Sequence, residues 1–362
     1  MKSITLILLT VFCIACSGKS DRYSPVYELF EGAELQRLSI DEENIIEIRL
    51  DSADVIQPMP DQGSFAGSDF LIAIGDSIVT IVDSRKAIKI LNSSSGEVLG
   101  KHTFSGRGPG EYQRIDNILY SHGYFLIIDS NSAKVLLFDR DFNFIDEFEI
   151  SHISPLSGFA YNHPDLISPV SNDPDNLILK RSLEEPDRSV SFHNRIISIG
   201  KQPAGYNRIL MDLNSNRELL VASVQMPLLF FYDTNSELSH MLRLEYTGFD
   251  GDEGGQNKLD ESIGQRVLIH PPPIEIETDR IIRGRTMISG IDYSESEILL
   301  LHSGMVTVLR KSESGYIHSR SIRVVGQTED PFYPMYMARN GDRLFLSNRF
   351  RDYLVILNPE EI

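Results

Sequence analysis

The chain has 362 residues, a formal net charge of −18 and only two cysteines. Its 52 acidic against 34 basic residues argue against nucleic acid or an anionic membrane surface as a partner, because both attract basic patches. Both cysteines lie in the first sixteen residues, so a mature chain lipidated at Cys16 has no thiol left for a disulfide, a thiolate metal site or a nucleophile.

Residues 1–16 are predicted to be an export signal. Lys2 supplies the positive n-region, and Ile4 to Ile14 form an apolar h-region that is too short to span a bilayer. Small Ala15 precedes Cys16, and a polar stretch follows. This arrangement resembles a bacterial lipoprotein signal, in which the cysteine after the cleavage site is lipidated. An ordinary cleaved secretory signal is the alternative.

Residues 17–44 show no sustained hydrophobic period and are interpreted as a tether and entry segment. A first strand is predicted from Ile45 to Leu50, and a four-strand unit then recurs along the chain. Its clearest copies end at Asn92, Asp139, Arg310 and Asn358.

The spacing of the repeat predicts a β-propeller. The interval from Asp83 to Asp129 is 46 residues, as is that from His302 to Asn348, and spacings of 40 to 50 residues with four short strands are typical of propeller blades. We count six blades over 45–362 and assign RIISIG, residues 195–200, as the fourth strand of the third. The sixth blade has only three strands, so we expect Ile45 to Leu50 to complete it and close the ring.

An insertion at 247–285 separates the fourth and fifth blades and contains the single weak helix candidate, residues 258–266. Within it, Asp250, Asp252 and Glu261 occupy positions 1, 3 and 12 of a calcium-loop pattern. Position 5 is a glycine, however, so a solvated acidic loop is favoured over a calcium site. No cofactor is predicted.

The segment FSGRGPGEY, from Phe104 to Tyr112, is glycine-rich but lacks the GK[ST] ending and the helix of a phosphate-binding loop. Fainter copies recur at 200–206 and 326–333, which favours a connector between blades. Arg107, Glu111 and Tyr112 form the candidate binding loop, although Arg107 and Glu111 are expected first to satisfy backbone groups of the connector. The strand-end carboxylates Asp83, Asp129, Asp139 and Asp233 are expected to cap turns.

The lipoprotein signal, the six blades with terminal closure and GRGPGEY together resemble the six-bladed β-propeller lipoproteins of Gram-negative bacteria, which are grouped with TolB-like and NHL-like propellers. The resemblance implies an all-β fold and a lipid-anchored location in the cell envelope, at the outer membrane and facing either the periplasm or the outside. It carries over no catalytic residue, and a shared propeller does not fix a function.

No nucleophile elbow or metal-ligand spacing is evident. The sequence therefore favours a monomeric, non-enzymatic binding or scaffold module that presents a propeller face to an envelope protein, peptide or glycan. The alternative is a metal-dependent hydrolase or lyase whose site lies on the propeller axis.

Overall fold

The fold was analysed in a computed structural model. It describes residues 29–50, 54–57, 69–150, 158–195, 208–247, 258–260, 265–267, 288–325, 332–358 and 362, apart from a few single positions within these ranges. The candidate lipidation site Cys16, the calcium-loop residues Asp250, Asp252 and Glu261, and Asp83 lie outside the described residues.

The described part of the chain is nearly all β-strand, with one short 3-10 turn at Glu42–Asn44. In chain order the strands are β1 (Glu34–Asp41), β2 (Ile45–Arg49), β3 (Asp54–Ile56), β4 (Asp69–Ile74), β5 (Ser77–Val82), β6 (Ala87–Asn92), β7 (Val98–His102), β8 (Asn117–Ser121), β9 (Tyr124–Asp129), β10 (Lys134–Asp139), β11 (Phe144–Glu149), β12 (Ala160–Asn162), β13 (Asp165–Pro169), β14 (Asn176–Ser182), β15 (Ser189–Asn194), β16 (Ile209–Leu213), β17 (Leu219–Ser223), β18 (Leu228–Tyr232), β19 (Leu238–Thr247), β20 (Lys258–Asp260), β21 (Gln265–Val267), β22 (Ile288–Tyr293), β23 (Glu297–His302), β24 (Met305–Ser312), β25 (Gly315–Val325), β26 (Tyr336–Asn340), β27 (Arg343–Ser347) and β28 (Leu354–Leu357).

These strands form a six-bladed β-propeller, as the repeat predicts. The first three blades are the four-stranded antiparallel sheets β4–β7, β8–β11 and β12–β15. The fourth blade is β16–β19 with β1 added at its edge, the fifth is β22–β25 with β2 added, and the sixth is β26–β28 completed by β3. The innermost strands of neighbouring blades contact one another around the whole ring.

The hydrophobic core is divided among the six interfaces between blades. Strand β9 shows how one strand serves two of them: Phe125 and Ile127 pack against the first blade, whereas Leu126 and Ile128 pack against the third. Successive side chains of a strand point to opposite faces of its sheet. A strand that is covered on both faces is therefore apolar throughout, which explains the continuous hydrophobic runs in the sequence.

The ring is closed by an N-terminal strand, but not by the predicted one. Strand β3 pairs antiparallel with β28, and Ile56 is buried among residues of the sixth and first blades. Residues Ile45–Arg49 instead pair parallel with β25 as a fifth strand of the fifth blade. The three-residue β3 directly precedes the first blade, so it reaches the closing position in the antiparallel sense that the fourth strand requires.

The segment predicted as a tether also differs from expectation, since β1 lies within it and pairs parallel with β19 over Glu34 to Asp41. Phe30 is 5% exposed and packs between His193 and Phe230, with ring centroids 5.1 and 4.7 Å away. Phe30, Leu38 and Ile40 of this stretch are thus part of the core.

Two smaller assignments need correction. The fourth strand of the third blade is Ser189–Asn194, which pairs with β14; most of the predicted strand at 195–200 lies outside the described residues. The weak helix candidate at 258–266 is a hairpin in which β20 pairs antiparallel with β21. Four residues ending in a glycine separate these two strands, a composition typical of a turn.

Candidate functional site

An axial channel passes between the innermost strands β4, β8, β12, β16, β22 and β26. Its cavity of about 400 Å³ is lined by residues of all six blades. Because these strands run in the same direction around the axis, their first residues lie at one end of the channel and their last residues at the other. We call the two ends the Asp69 end and the Asp212 end.

At the Asp69 end, the carboxylates are fully paired. Oδ2 of Asp69 accepts from Nε of Arg85 at 2.8 Å, and Oδ1 accepts from the hydroxyl of Tyr336 at 2.9 Å. Asp116 lies 3.1 Å from Nε of Arg114 and 3.8 Å from a terminal nitrogen of Arg85. The two aspartates are buried, at 4% and 2% exposed. Their contacts connect the sixth, first and second blades.

The Asp212 end has fewer cations than carboxylates. Asp212 accepts hydrogen bonds from the backbone N–H groups of Tyr293 at 2.7 Å and Leu213 at 2.9 Å, and forms no ion pair within the described residues. Asp292 lies 3.7 Å from Nη1 of Arg339, whose Nη2 contacts Glu297 at 2.5 Å. Arg339 thus serves two carboxylates, Glu297 also lies 3.7 Å from Nε of Arg310, and Asp212 has no ion-pair partner among the described residues.

The environment of this end favours protonated carboxyl groups. Burial, followed by the negative charge of Asp292, raises the pKa of Asp212 to about 8, although two backbone N–H groups oppose the shift. Burial also raises the pKa of Asp292 against the effect of Arg339. Both side chains are half-buried by area because they face the channel, yet protein surrounds the channel on all sides. Removal of water from a carboxylate disfavours its charged form.

One donor at this end is also unused. Nη1 of Arg339 is buried and forms no hydrogen bond within the described residues; its ion-pair partner Asp292 is 3.7 Å away. The Asp212 end therefore combines two carboxyl groups that bind protons readily with a donor that a ligand can engage.

The glycine-rich loop is largely a structural connector. Oε2 of Glu111 accepts from the backbone N–H of Gly108 at 2.8 Å, as expected for a residue that satisfies backbone groups. A Cβ at Gly106 would lie 1.9 Å from that same carboxylate oxygen, so a larger residue there would displace the Glu111 side chain. Tyr112 is fully buried and donates its hydroxyl to the carbonyl of Lys86 at 3.2 Å.

Arg107 alone of the three candidate loop residues is exposed. With the amide of Gln113 oriented so that its oxygen faces Arg107, Gln113 accepts from Nε and, at 3.2 Å, from Nη2 of the guanidinium. The three candidate loop residues therefore have different surroundings. Glu111 and Tyr112 bond to backbone groups of the protein, and Arg107 borders a second, polar cavity.

The predicted turn caps are confirmed where they are described. Asp129 accepts from the backbone N–H groups of Asn131 and Ser132, Asp139 accepts from those of Asp141 and Asn143, and Asp233 accepts from those of Asn235 and Glu237.

No three histidine, cysteine, aspartate or glutamate side chains of the described residues are grouped so that they could hold a metal ion. Nor do the described residues form a helix with the length and hydrophobicity needed to cross a bilayer.

Sequence reasoning missed Asp212, Asp292 and Arg339. Each occupies the second-to-last position of its innermost strand, in ILMDL, ISGIDY and YMARN respectively. A comparison of the innermost strands with one another, rather than of the turns, would have placed all three at the same level of the axis.

Comparison with solved structures finds the same fold in two Bacteroides proteins. A protein of Bacteroides fragilis NCTC 9343 that is inferred to be exported aligns with a TM-score of 0.56 and 12% identity, over 89% of this chain and 99% of that one. The chain shares its fold. A member of the DUF4221 family from Bacteroides vulgatus ATCC 8482 aligns with a TM-score of 0.53 and 9% identity, over 84% and 97%.

The structure of U3-55K also aligns, with a TM-score of 0.50 and 14% identity over 86% of this chain and 99% of that one. No family model matches the sequence, and no curated protein matches it. At these identities the likeness concerns the fold alone.

Proposed function

We propose that this chain is an exported, lipid-anchored binding module that takes a positively charged side chain of a protein or peptide into the Asp212 end of its axial channel. The observation that carries the proposal is the pairing at this end, where Arg339 serves both Asp292 and Glu297 while Asp212 has no cation among the described residues. A rigid ring of six blades supports such a site without rearrangement.

A cationic ligand would change the charge state of the channel. An ammonium or guanidinium close to Asp212 and Asp292 favours their ionised forms, because an opposite charge within a few ångströms stabilises a carboxylate. Binding near neutral pH would then release protons. A neutral ligand of the same shape would not have this effect.

The envelope location is supported by two observations of different kinds. The first sixteen residues resemble a lipoprotein signal that ends at Cys16. Structural neighbours include a Bacteroides protein that is inferred to be exported.

The test of ligand class is calorimetric titration of the full chain, solubilised in detergent, with the peptide acetyl-Gly-Lys-Gly-amide and with the same peptide acetylated on the lysine. We expect only the first to bind and to release protons, measured as a dependence of the heat on the ionisation enthalpy of the buffer. Asp212→Asn should abolish both effects, whereas Asp76→Asn, an exposed carboxylate in a turn of the first blade, should preserve them. Equal binding of the two peptides would refute the proposal.

The alternative, a metal-dependent hydrolase or lyase, would place its metal near the same carboxylates. Elemental analysis of the purified chain, with thermal unfolding before and after chelator treatment, distinguishes the two. Stoichiometric metal that is lost together with stability would favour the enzyme, and we expect neither.

The anchor is tested separately by fractionation. Cys16→Ala should move the chain from the membrane to the soluble fraction, while Cys13→Ala should leave it in the membrane fraction. Retention of both variants in the membrane would contradict a lipid at Cys16.

A further inference from the structure

A second cavity lies beside the glycine-rich loop of the second blade. It has a volume of about 670 Å³, within the range of small-molecule sites, and shares no lining residue with the axial channel. Four elements border it: the loop at Arg107 and Gln113, the turn at Asn131 and Ser132, the start of β10 at Lys134, and the edge strand β11.

The walls of this crevice are held together by buried polar contacts. Nζ of Lys134, a residue that is 7% exposed, donates to the carbonyl of Gly108 at 3.0 Å and to Oε2 of Glu147 at 3.1 Å. Oδ2 of Asp129, which is fully buried, accepts from the backbone N–H of Gln113 at 2.7 Å. The loop, the turn and the edge strand are thus fixed relative to one another before any ligand binds.

The charges that line the crevice balance. Arg107 and Lys134 contribute two cations, and Glu147 and Glu149 contribute two carboxylates. Lys134 is already paired with Glu147. An anion such as phosphate would meet Arg107, which has no ion-pair partner among the described residues, beside two carboxylates. A cation would meet the Glu149 carboxylate, which is likewise unpaired within the described part of the chain, beside two cations. Neither class of ion is favoured by this lining.

The lining offers donors and acceptors in equal measure. The amides of Gln113 and Asn131 carry both, and Oγ of Ser132 is buried without a hydrogen-bond partner among the described residues. Phe148 lies between Glu147 and Glu149 on β11, and its side chain points to the other face of the sheet, where it packs against the core between the second and third blades. The side chains that line the crevice are therefore polar. A purely apolar ligand would leave these polar groups unsatisfied, which costs free energy. A neutral ligand rich in hydroxyl groups satisfies them, because each hydroxyl both donates and accepts.

We infer that this crevice binds a neutral saccharide, with the planar side chains of Arg107, Gln113 and Asn131 bonding its hydroxyl groups. This inference goes beyond the proposed axial site and does not depend on it. It gives Arg107 a ligand-binding role, while Glu111 and Tyr112 hold the loop in shape.

The test is saturation-transfer NMR followed by calorimetry on the full chain, with maltotriose, chitotriose and inorganic phosphate as probes. We expect saturable binding of at least one trisaccharide with a Kd of about 1 mM or tighter, and none of phosphate. Arg107→Ala should weaken binding about tenfold or more, because it removes charge-assisted hydrogen bonds.

Arg140→Ala is the matched control, an exposed arginine of the same blade that lies outside the crevice. It should leave the affinity unchanged, and thermal unfolding should show that both variants are folded. Failure of both trisaccharides to bind, equal affinity of Arg107→Ala, or saturable phosphate binding at this site would overturn the inference. Because the crevice and the channel share no residue, none of these results bears on the axial proposal.

Discussion

Oδ2 of Asp212 accepts a 2.7 Å hydrogen bond from the backbone N–H of Tyr293, which joins the innermost strands of the fourth and fifth blades at one end of the axial channel. This contact holds a carboxyl group in place where no cation of the described residues pairs with it. The channel therefore contains a proton-binding group that contributes to the pH dependence of stability.

The first prediction concerns that pH dependence. Burial raises the pKa of Asp212 to about 8, against an ordinary value of 3.8, so between these values the folded chain binds a proton that the unfolded chain has lost. The contribution of Asp212 to stability must therefore fall as the pH rises from about 4 to about 8, and level off above that.

Asp212→Asn removes this titration. We expect the free energy of unfolding of this variant, measured with denaturant, to fall less steeply between pH 5 and 8 than that of the parent chain. The difference in slope should stay below about 1.4 kcal/mol per pH unit, because channel water screens a half-buried group. The exposed substitution Asp76→Asn should leave the slope unchanged. An unaltered slope in Asp212→Asn would mean that the carboxyl group is ionised in the folded chain at neutral pH.

The second prediction tests which strand closes the ring. Ile56 is 3% exposed at the interface between the sixth and first blades, whereas Ile46 on β2 is 41% exposed. Ile56→Ala should lower the free energy of unfolding by about 3 kcal/mol, because it leaves a cavity in a packed interface. Ile46→Ala should change it by about 0.5 kcal/mol or less. The reverse order would indicate that Ile45 to Leu50 closes the ring.

The closure by β3 rather than β2 shows which part of the fold the sequence did not predict. Blade number and the central strands were predictable, because a strand buried on both faces is continuously apolar and recurs at a fixed interval. The closing strand was not, because Asp54–Ile56 has only three residues while IIEIRL is longer and more apolar. Pairing direction decides the assignment, and hydrophobicity carries no information on direction.

The candidate site was less predictable for a related reason. Asp212, Asp292 and Arg339 stand far apart in the sequence and form no motif, so only the closure of the ring brings them together. Glycine-rich GRGPGEY, in contrast, is conspicuous in the sequence, yet two of its three candidate residues face inward. The unusual composition here reflects the structure of the loop itself, in which Gly106 leaves room for the Glu111 side chain.

The third prediction concerns the N-terminal segment. Phe30 packs against Phe230 at the interface of the third and fourth blades, while its neighbour Leu29 is 37% exposed. Phe30→Ala should destabilise the chain by about 3 kcal/mol, and Leu29→Ala by about 0.5 kcal/mol or less, in denaturant unfolding. Equal effects would show that residues before β1 act only as a tether.

The last prediction concerns the loss of stability as the pH falls below 6.5. His193 is 4% exposed, its Nδ1 lies 2.6 Å from the hydroxyl of Tyr232, and its Nε2 is buried without a hydrogen-bond partner among the described residues. Burial lowers the pKa of His193 to about 3 from an ordinary 6.5. Between these values the unfolded chain binds a proton that the folded chain does not, so the stability that His193 contributes is present above pH 6.5 and is lost progressively toward pH 3.

His193→Asn removes this group and suits its positive φ of 65°, a conformation that asparagine tolerates better than most residues. We expect the variant to be less stable at pH 7, because the contact with Tyr232 is altered, but to lose stability less steeply between pH 6.5 and 4, by up to about 1.4 kcal/mol per pH unit. His122→Asn is the matched control, with a positive φ of 53° in an exposed turn. Its stability should fall with decreasing pH as steeply as that of the parent chain. If His193→Asn also loses stability as steeply as the parent chain, His193 takes up its proton in the folded state.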